Sequence, residues 1–206
     1  DHAVLEKKGF LLVDSGATYM DGTTDITRTY PLGPLSEDEK RFYTWTLQSH
    51  IDLAKAVWLD YCECKMIDTI AREPLWRHLI NYRCGTGHSV SFVGNVHEGP
   101  HALNSRNTTR MRPGMVVTDE PGVYETDLVG IRIENELVCV HKADNQYGTF
   151  LGFEPLMFVP IATSPILPGV LDKDEIAWLN DYHRQVFAKL APHLHDEERS
   201  WLAEQC

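Results

Sequence analysis

Four carboxylates and one imidazole stand out along the chain for where they fall. Asp14 closes the apolar run 9–14, and Asp25 follows beyond the tight-turn signal Asp21-Gly22, so two neighbouring strands can bring both acids to one point. A convergent pair of this kind needs a cation or a shared proton. Taken alone, acids flanking a glycine-rich turn are ordinary turn residues. His88 sits in Gly85-Thr86-Gly87-His88, whose glycines permit close backbone approach, and His97 follows in Asn95-Val96-His97-Glu98-Gly99-Pro100. Each histidine by itself reads more simply as a solvated loop residue. Glu120 ends the apolar stretch 115–118, where an acid is out of place unless it faces a partner. In residues 129–135, period-two alternation puts Arg132 and Glu134 on one face and Val129, Ile131 and Ile133 on the other, which also suits an exposed Arg–Glu pair.

Together these residues read differently. Asp14, Asp25, His88, Glu120 and Glu134 form a hard, oxygen-rich donor set with a single imidazole, suited to Mn, Co, Zn or Fe(II) rather than to thiophilic metals. Four carboxylates cannot stay ionised side by side without about two divalent ions between them. Two such ions can generate a nucleophile from water and clamp both oxygens of a hydrolytic transition state.

The elements that must position these groups are legible in outline. Residues 9–14 read as a buried strand, 17–20 as a second strand, and 25–30 as a further β segment beyond the turn. Ser36-Glu37-Asp38-Glu39 is a capping box, and Phe42, Trp45, Ser49, Leu53, Ala56 and Val57 recur at helical spacing behind it. A second helix is expected over 66–72, broken or restarted by Pro74. Strands are expected at 115–118, 129–140 and 156–161, and helices at 172–190 and 196–204. The order strands, helices, strands, helices favours an α+β fold over an alternating parallel sheet.

Length and composition agree with a single globular domain: 206 residues, 43% hydrophobic and 24% charged, which rules out disorder as the main state. The formal charge of −11 argues against nucleic acid and anionic membrane surfaces as partners. No apolar stretch reaches the length of a membrane span. The five cysteines, Cys62, Cys64, Cys84, Cys139 and Cys206, are odd in number and lack zinc-ribbon spacing. They read as thiols of a reducing, cytoplasmic compartment.

The stretches LLVDSGATYMDGTTDITRTYPLG, GTGHSVSFVGNVHEGP, MRPGMVVTDEPGVYE, VGIRIENELVCV and FEPLMFVPI, in this order, resemble the pita-bread metallopeptidases, which include methionine aminopeptidase, prolidase, creatinase and aminopeptidase P. The nine-residue step from His88 to His97 and the C-terminal DEIAWLNDYH look most like the aminopeptidase P branch. The resemblance implies a curved, mostly antiparallel sheet covered by helices, and two divalent ions, manganese first with cobalt or zinc as alternatives. It implies Asp14 as a ligand of one ion, Asp25 and Glu134 as bridges, and His88 and Glu120 as ligands of the other. His97 would face the substrate, Glu120 would shuttle a proton, and Arg132, with Tyr124 near it, would orient Glu134 or the substrate side. The reaction implied is removal of an N-terminal residue from a peptide with proline second, by attack of a metal-bridging hydroxide on the Xaa–Pro carbonyl. A prolidase-like dipeptidase and a non-catalytic binding module are the alternatives, the latter disfavoured because all five ligand positions are filled.

Three departures accompany the match. Cys84 stands where the family carries histidine, and Ser89 and Ser91 stand where GTGHGVG would have glycines, adding strain if those positions need positive φ. The family's catalytic domain also begins earlier. Residues 1–206, starting Asp1-His2-Ala3 without methionine, are therefore expected to be the C-terminal part of a catalytic domain cut from a longer chain, with one wall of the cleft missing. An uncovered apolar sheet face should then be exposed. Activity would depend on the missing N-terminal segment or on a partner chain such as a second copy.

Overall fold

The computed structural model describes residues 4–206. It begins with a hairpin: β1 (Phe10–Tyr19) and β2 (Gly22–Pro31) pair antiparallel from Phe10↔Pro31 to Tyr19↔Gly22. Two strands were expected in the first arm, but the chain runs through Ser15-Gly16 without a break. Gly16 lies opposite Asp25, and its missing Cβ leaves room for the Thr24 carbonyl oxygen, which a methyl would approach to 2.7 Å. Nor is the segment 9–14 the buried strand expected: Phe10, Leu11 and Leu12 are half-buried and Val13 is 40% exposed. The reason is position. Among the described residues only β2 pairs with β1, so its other edge is open.

Helix α1 (Glu37–Ala54) starts at the expected capping box, with Glu39 N donating to Ser36 Oγ at 3.2 Å and Ser36 N to Glu39 Oε2 at 2.7 Å. It stops before Ala56 and Val57, and Val57 opens β3 (Val57–Leu59) instead. Helix α2 (Cys64–Trp76) runs through Pro74 rather than breaking there. Two residues from the end, proline removes a single helical bond, and Ile67, Ala71 and Leu75, all fully buried on one face, hold the last turns together.

The turn-rich middle contributes two short pairs of residues, β4 (Gly87–His88) and β5 (Ala102–Leu103), antiparallel to each other. Strand β6 (Val116–Asp119) follows. The single strand expected over 129–140 is two, because the chain changes partner at Ile133-Glu134. β8 (Val129–Arg132) pairs with β7 (Gly122–Glu125), and β9 (Asn135–Asn145) joins the sheet ordered β3-β10-β9-β6. Its member β10 (Gly148–Pro155) is absent from the sequence reading, whereas 156–161, read as a strand, is irregular. There the backbone groups go to side chains instead of a ladder: Val159 N donates to Tyr182 Oη at 3.2 Å and Ile161 N to His183 Nε2 at 3.1 Å.

Helices α3 (Lys173–Leu190) and α4 (Asp196–Gln205) close the chain as expected. Tyr182, Leu179 and Val186 of α3 pack with Tyr43, Leu47 and Ile51 of α1 over Ile131 and Ile133. A second core joins Leu53, Ile67 and Ala71 to Val117, Leu137 and Leu151 of the four-stranded sheet. The class is α+β, as expected. No helix among the described residues is long and apolar enough to cross a membrane, and all five cysteines are free thiols.

Candidate metal centre

The hairpin register settles what Asp14 and Asp25 can do. Asp14 pairs with Thr27 and Gly16 with Asp25, so both acids lie diagonally on one face, with Thr27 between them. His88 is brought to the same place by β4. Its backbone N donates to Thr118 Oγ1 at 3.0 Å, and Glu120 N donates to Thr86 O at 2.8 Å. This approach is possible only because residue 87 is glycine: a Cβ there would lie 1.8 Å from the Thr118 carbonyl oxygen.

His88 Nε2 then sits 3.4 Å from Asp25 Oδ2 and 3.1 Å from Glu120 Oε1. Glu134 arrives from the far side of the hairpin. Its N–H donates to Thr27 O at 3.1 Å, and its Oε2 accepts from Thr27 Oγ1 at 2.6 Å. Ligand atoms of Asp25, His88 and Glu134 fall within 4.8 Å of one another. Asp14 lies at the rim, with its carboxylate 2.6 Å from Arg132 Nη2. Arg132 also donates to Tyr124 Oη at 2.5 Å and to Thr27 Oγ1 at 3.0 Å, and its Nε lies 3.7 Å from Glu120 Oε2. A cavity of about 450 Å³ opens in front, lined by Asp14, Asp25, His88, Glu120 and His97 among others. The His97 ring stacks on that of His88 with centroids 3.7 Å apart. The structure thus gathers all seven residues singled out in the sequence, three of them in the tightest cluster.

The electrostatics are those of crowded acids. Burial alone would lower the His88 imidazole, but its bonds to Asp25 and Glu120 outweigh that and raise it to about 10. Burial, then the Glu120 and Asp25 charges, push Glu134 up to about 8 against the Thr27 bond and Arg132. These residues suit divalent ions on two counts. Glu134 Oε1 is buried with no hydrogen-bond partner. The Nδ1 of His88 lies 3.1 Å from the Ser89 carbonyl, a contact that keeps the proton on Nδ1 and leaves Nε2 free to ligate among the carboxylates.

Neither Ser89 nor Ser91 carries the strain that positive φ would bring. Among the described residues only Leu79 and Asp127 are non-glycines with positive φ. Ser91 Oγ instead donates to Asn95 O at 2.7 Å across the loop. Cys84 Sγ lies 3.8 Å from Gly122 O, and burial raises its thiol above the ordinary range. Sequence reasoning missed Thr27, Thr118 and the buried Asp119. Thr27 was within reach, since it follows Asp25 by two along one strand face. Asp119 was hidden by the neighbouring Glu120, because alternation sends the two acids to opposite sides.

Comparison with known proteins places the chain in a class. The model of metallopeptidase family M24 matches residues 1–141, and that of the C-terminal region of the same family matches residues 149–206. The chain belongs to the M24 metallopeptidases. A probable Xaa-Pro aminopeptidase P of Coprinopsis cinerea is 41% identical over 213 residues, covering 100% of this chain and 34% of that protein. Its counterpart in Laccaria bicolor is 40% identical over 214 residues, covering 100% and 33%. The crystal structure of the X-prolyl aminopeptidase of Caenorhabditis elegans, described as a cytosolic enzyme with a di-nuclear active site, superposes with a TM-score of 0.90 at 40% identity. It covers 95% of this chain and 33% of that one. Prolidase from Pyrococcus furiosus gives 0.63 at 28% identity, covering 74% and 42%. The fold is the pita-bread architecture, and the chain spans about a third of the length of the curated relatives it matches.

Proposed function

We propose that this chain carries the metal centre of an aminopeptidase that releases the N-terminal residue from peptides with proline in second position. The observation that carries the reading is the convergence of Asp25, His88 and Glu134 within 4.8 Å, with Glu120 on His88 and Asp14 at the rim. Residues 1–206 form the C-terminal part of a longer catalytic domain in this reading, and the compartment is the cytoplasm. Asp14, Asp25, His88, Glu120 and Glu134 would hold two divalent ions, with manganese the preferred metal. The bound ions would supply an activated water and polarise the scissile carbonyl.

The rest is the work of side chains. Glu120, whose Oε1 accepts from Thr118 Oγ1 at 2.9 Å, takes the proton of the attacking water and hands it to the departing prolyl nitrogen. His97, stacked on His88 at the cavity wall, holds the scissile carbonyl oxygen. Arg132 fixes Thr27, and through it Glu134, while its other arm holds Tyr124. Similarity to aminopeptidase P at 40% identity, against 28% for prolidase, favours longer peptides over dipeptides as substrates.

The test is an assay of the intact, manganese-equilibrated protein on an Xaa-Pro-Xaa tripeptide, an Xaa-Pro dipeptide and an Xaa-Ala-Xaa control. Release of Xaa from the first, and little from the others, is expected. Cleavage of the dipeptide alone would assign it as a dipeptidase, and no cleavage despite bound metal would leave a binding module.

A further inference from the structure

We infer that Tyr182 and Arg28 are positioning residues for the metal centre, through which helix α3 fixes the ligating carboxylates from behind. The inference rests on the metal reading above. Arg28 leaves β2 on the face opposite Asp25 and Thr27 and is 3% exposed. Its N–H groups go to uncharged oxygens. Nε donates to Pro160 O at 3.1 Å, and Nη1 to Thr27 O at 2.9 Å and to Glu134 O. Nη2 donates to Asn135 Oδ1 at 2.8 Å, Val159 O at 2.7 Å and Tyr182 Oη at 2.9 Å. Burying a guanidinium is costly, and hydrophobic packing could fill the same space. What hydrophobic packing could not do is grip the main chain of Thr27 and Glu134, the two residues whose side chains meet at 2.6 Å in the site.

The same cluster continues to the other ligating strand. Asn135 presents Oδ1 to Arg28 and to Tyr182 Oη, the latter at 3.1 Å, so its Nδ2 faces His50 Nε2 at 3.2 Å. An amide nitrogen can only donate, so Nε2 accepts and the His50 proton sits on Nδ1. That Nδ1 faces Asp119, with the carbonyl oxygen at 3.2 Å and Oδ2 at 3.1 Å. Asp119 is the residue before Glu120. A single buried chain, Tyr182–Asn135–His50–Asp119 with Arg28 alongside, therefore reaches from α3 to the backbone beside both Glu134 and Glu120. All of these side chains are less than a tenth exposed.

Partners of this kind behind metal ligands typically change metal affinity by about 10–100-fold when removed. Tyr182→Phe deletes one oxygen and keeps the ring stacked on Trp178, whose centroid is 5.3 Å away. In the intact protein, titrated with Mn²⁺ by calorimetry and by electron paramagnetic resonance, Tyr182→Phe is expected to weaken Mn²⁺ binding about tenfold and broaden the coupled-pair spectrum. It should lower kcat with KM little changed, and lower the metal-free melting temperature only modestly, through the unpaired Val159 N–H. Arg28→Lys, which keeps the charge but spans fewer acceptors, should act in the same direction. Val186→Ala, which removes buried packing on the same helix at a side chain that makes no hydrogen bond, should lower the melting temperature and spare Mn²⁺ affinity. Unchanged Mn²⁺ affinity in Tyr182→Phe, or a loss that only parallels its melting temperature as packing damage does, would overturn the inference. A wild-type protein that takes up no Mn²⁺ would instead overturn the metal reading on which it stands.

Discussion

Glu134 and His88 concentrate the electrostatic cost of the site, and that cost can be read with pH. Both hold protons more tightly in the folded, metal-free chain than when unfolded, at about 8 against 4.5 for Glu134 and about 10 against 6.5 for His88. Their contribution to metal-free stability is therefore full below the unfolded values and is lost as pH rises through the folded ones. Divalent ions must displace both protons. The rise in melting temperature on adding Mn²⁺ should accordingly be larger at alkaline than at acid pH, with protons released on binding; a pH-independent increment would contradict this. Glu120→Gln should lower kcat by at least about a hundredfold while the fold is kept, since the amide cannot carry the proton. Peptidase kinetics with a circular dichroism control check it. Cys84→His should raise kcat/KM on Xaa-Pro peptides, because the raised thiol is a poor proton carrier at neutral pH; an unchanged rate would make the cysteine incidental. At this scale the cluster of acids around His88 was legible because acids in or just after apolar, strand-like runs are chemically conspicuous. Arg28, Asn135 and His50 were not, because their contacts depend on long-range pairings such as Arg28 with Val159.

Local signals located some elements and misled about others. The Ser36 capping box and the Asp21-Gly22 turn act through neighbouring residues only, and both were readable. Strand β10 and the irregular segment 156–161 exchanged roles, because the backbone of the latter is claimed by Tyr182 and His183 from a helix far along the chain. Pro74 was misread because burial of its helix face outweighs one lost bond. The glycine loop before His88 offers the sharpest test of element geometry. Gly87→Ala would press a methyl against the Thr118 carbonyl from 1.8 Å, which no rotamer relieves. We expect a loss of about 3 kcal/mol or more in urea unfolding, with Mn²⁺ binding weakened because His88 is displaced. A near-neutral substitution would mean that β4 is not held against β6 as described.

The whole molecule carries more surface than its mass requires. Its accessible area is 11634 Å², against roughly 9,800 Å² for a compact monomer of 23.5 kDa. Strand β1 is exposed from Val13 to Tyr19, and its outer edge is unpaired among the described residues. Amides along β1 should therefore exchange with solvent well before those of the central strand β9, measurable by hydrogen exchange; equal protection would mean that something else covers that edge. Net charge tells the same story as the site. Two divalent ions would bring the formal −11 to −7, so part of the acidity that argues against nucleic acid is the metal centre itself. The most direct test of the account is the metal content of the folded protein after equilibration with Mn²⁺ and removal of the excess, measured by mass spectrometry of the element. Two ions per chain in the wild type, with loss in Asp25→Asn and Glu134→Gln, is the predicted result. A properly folded wild type that retains none would contradict it.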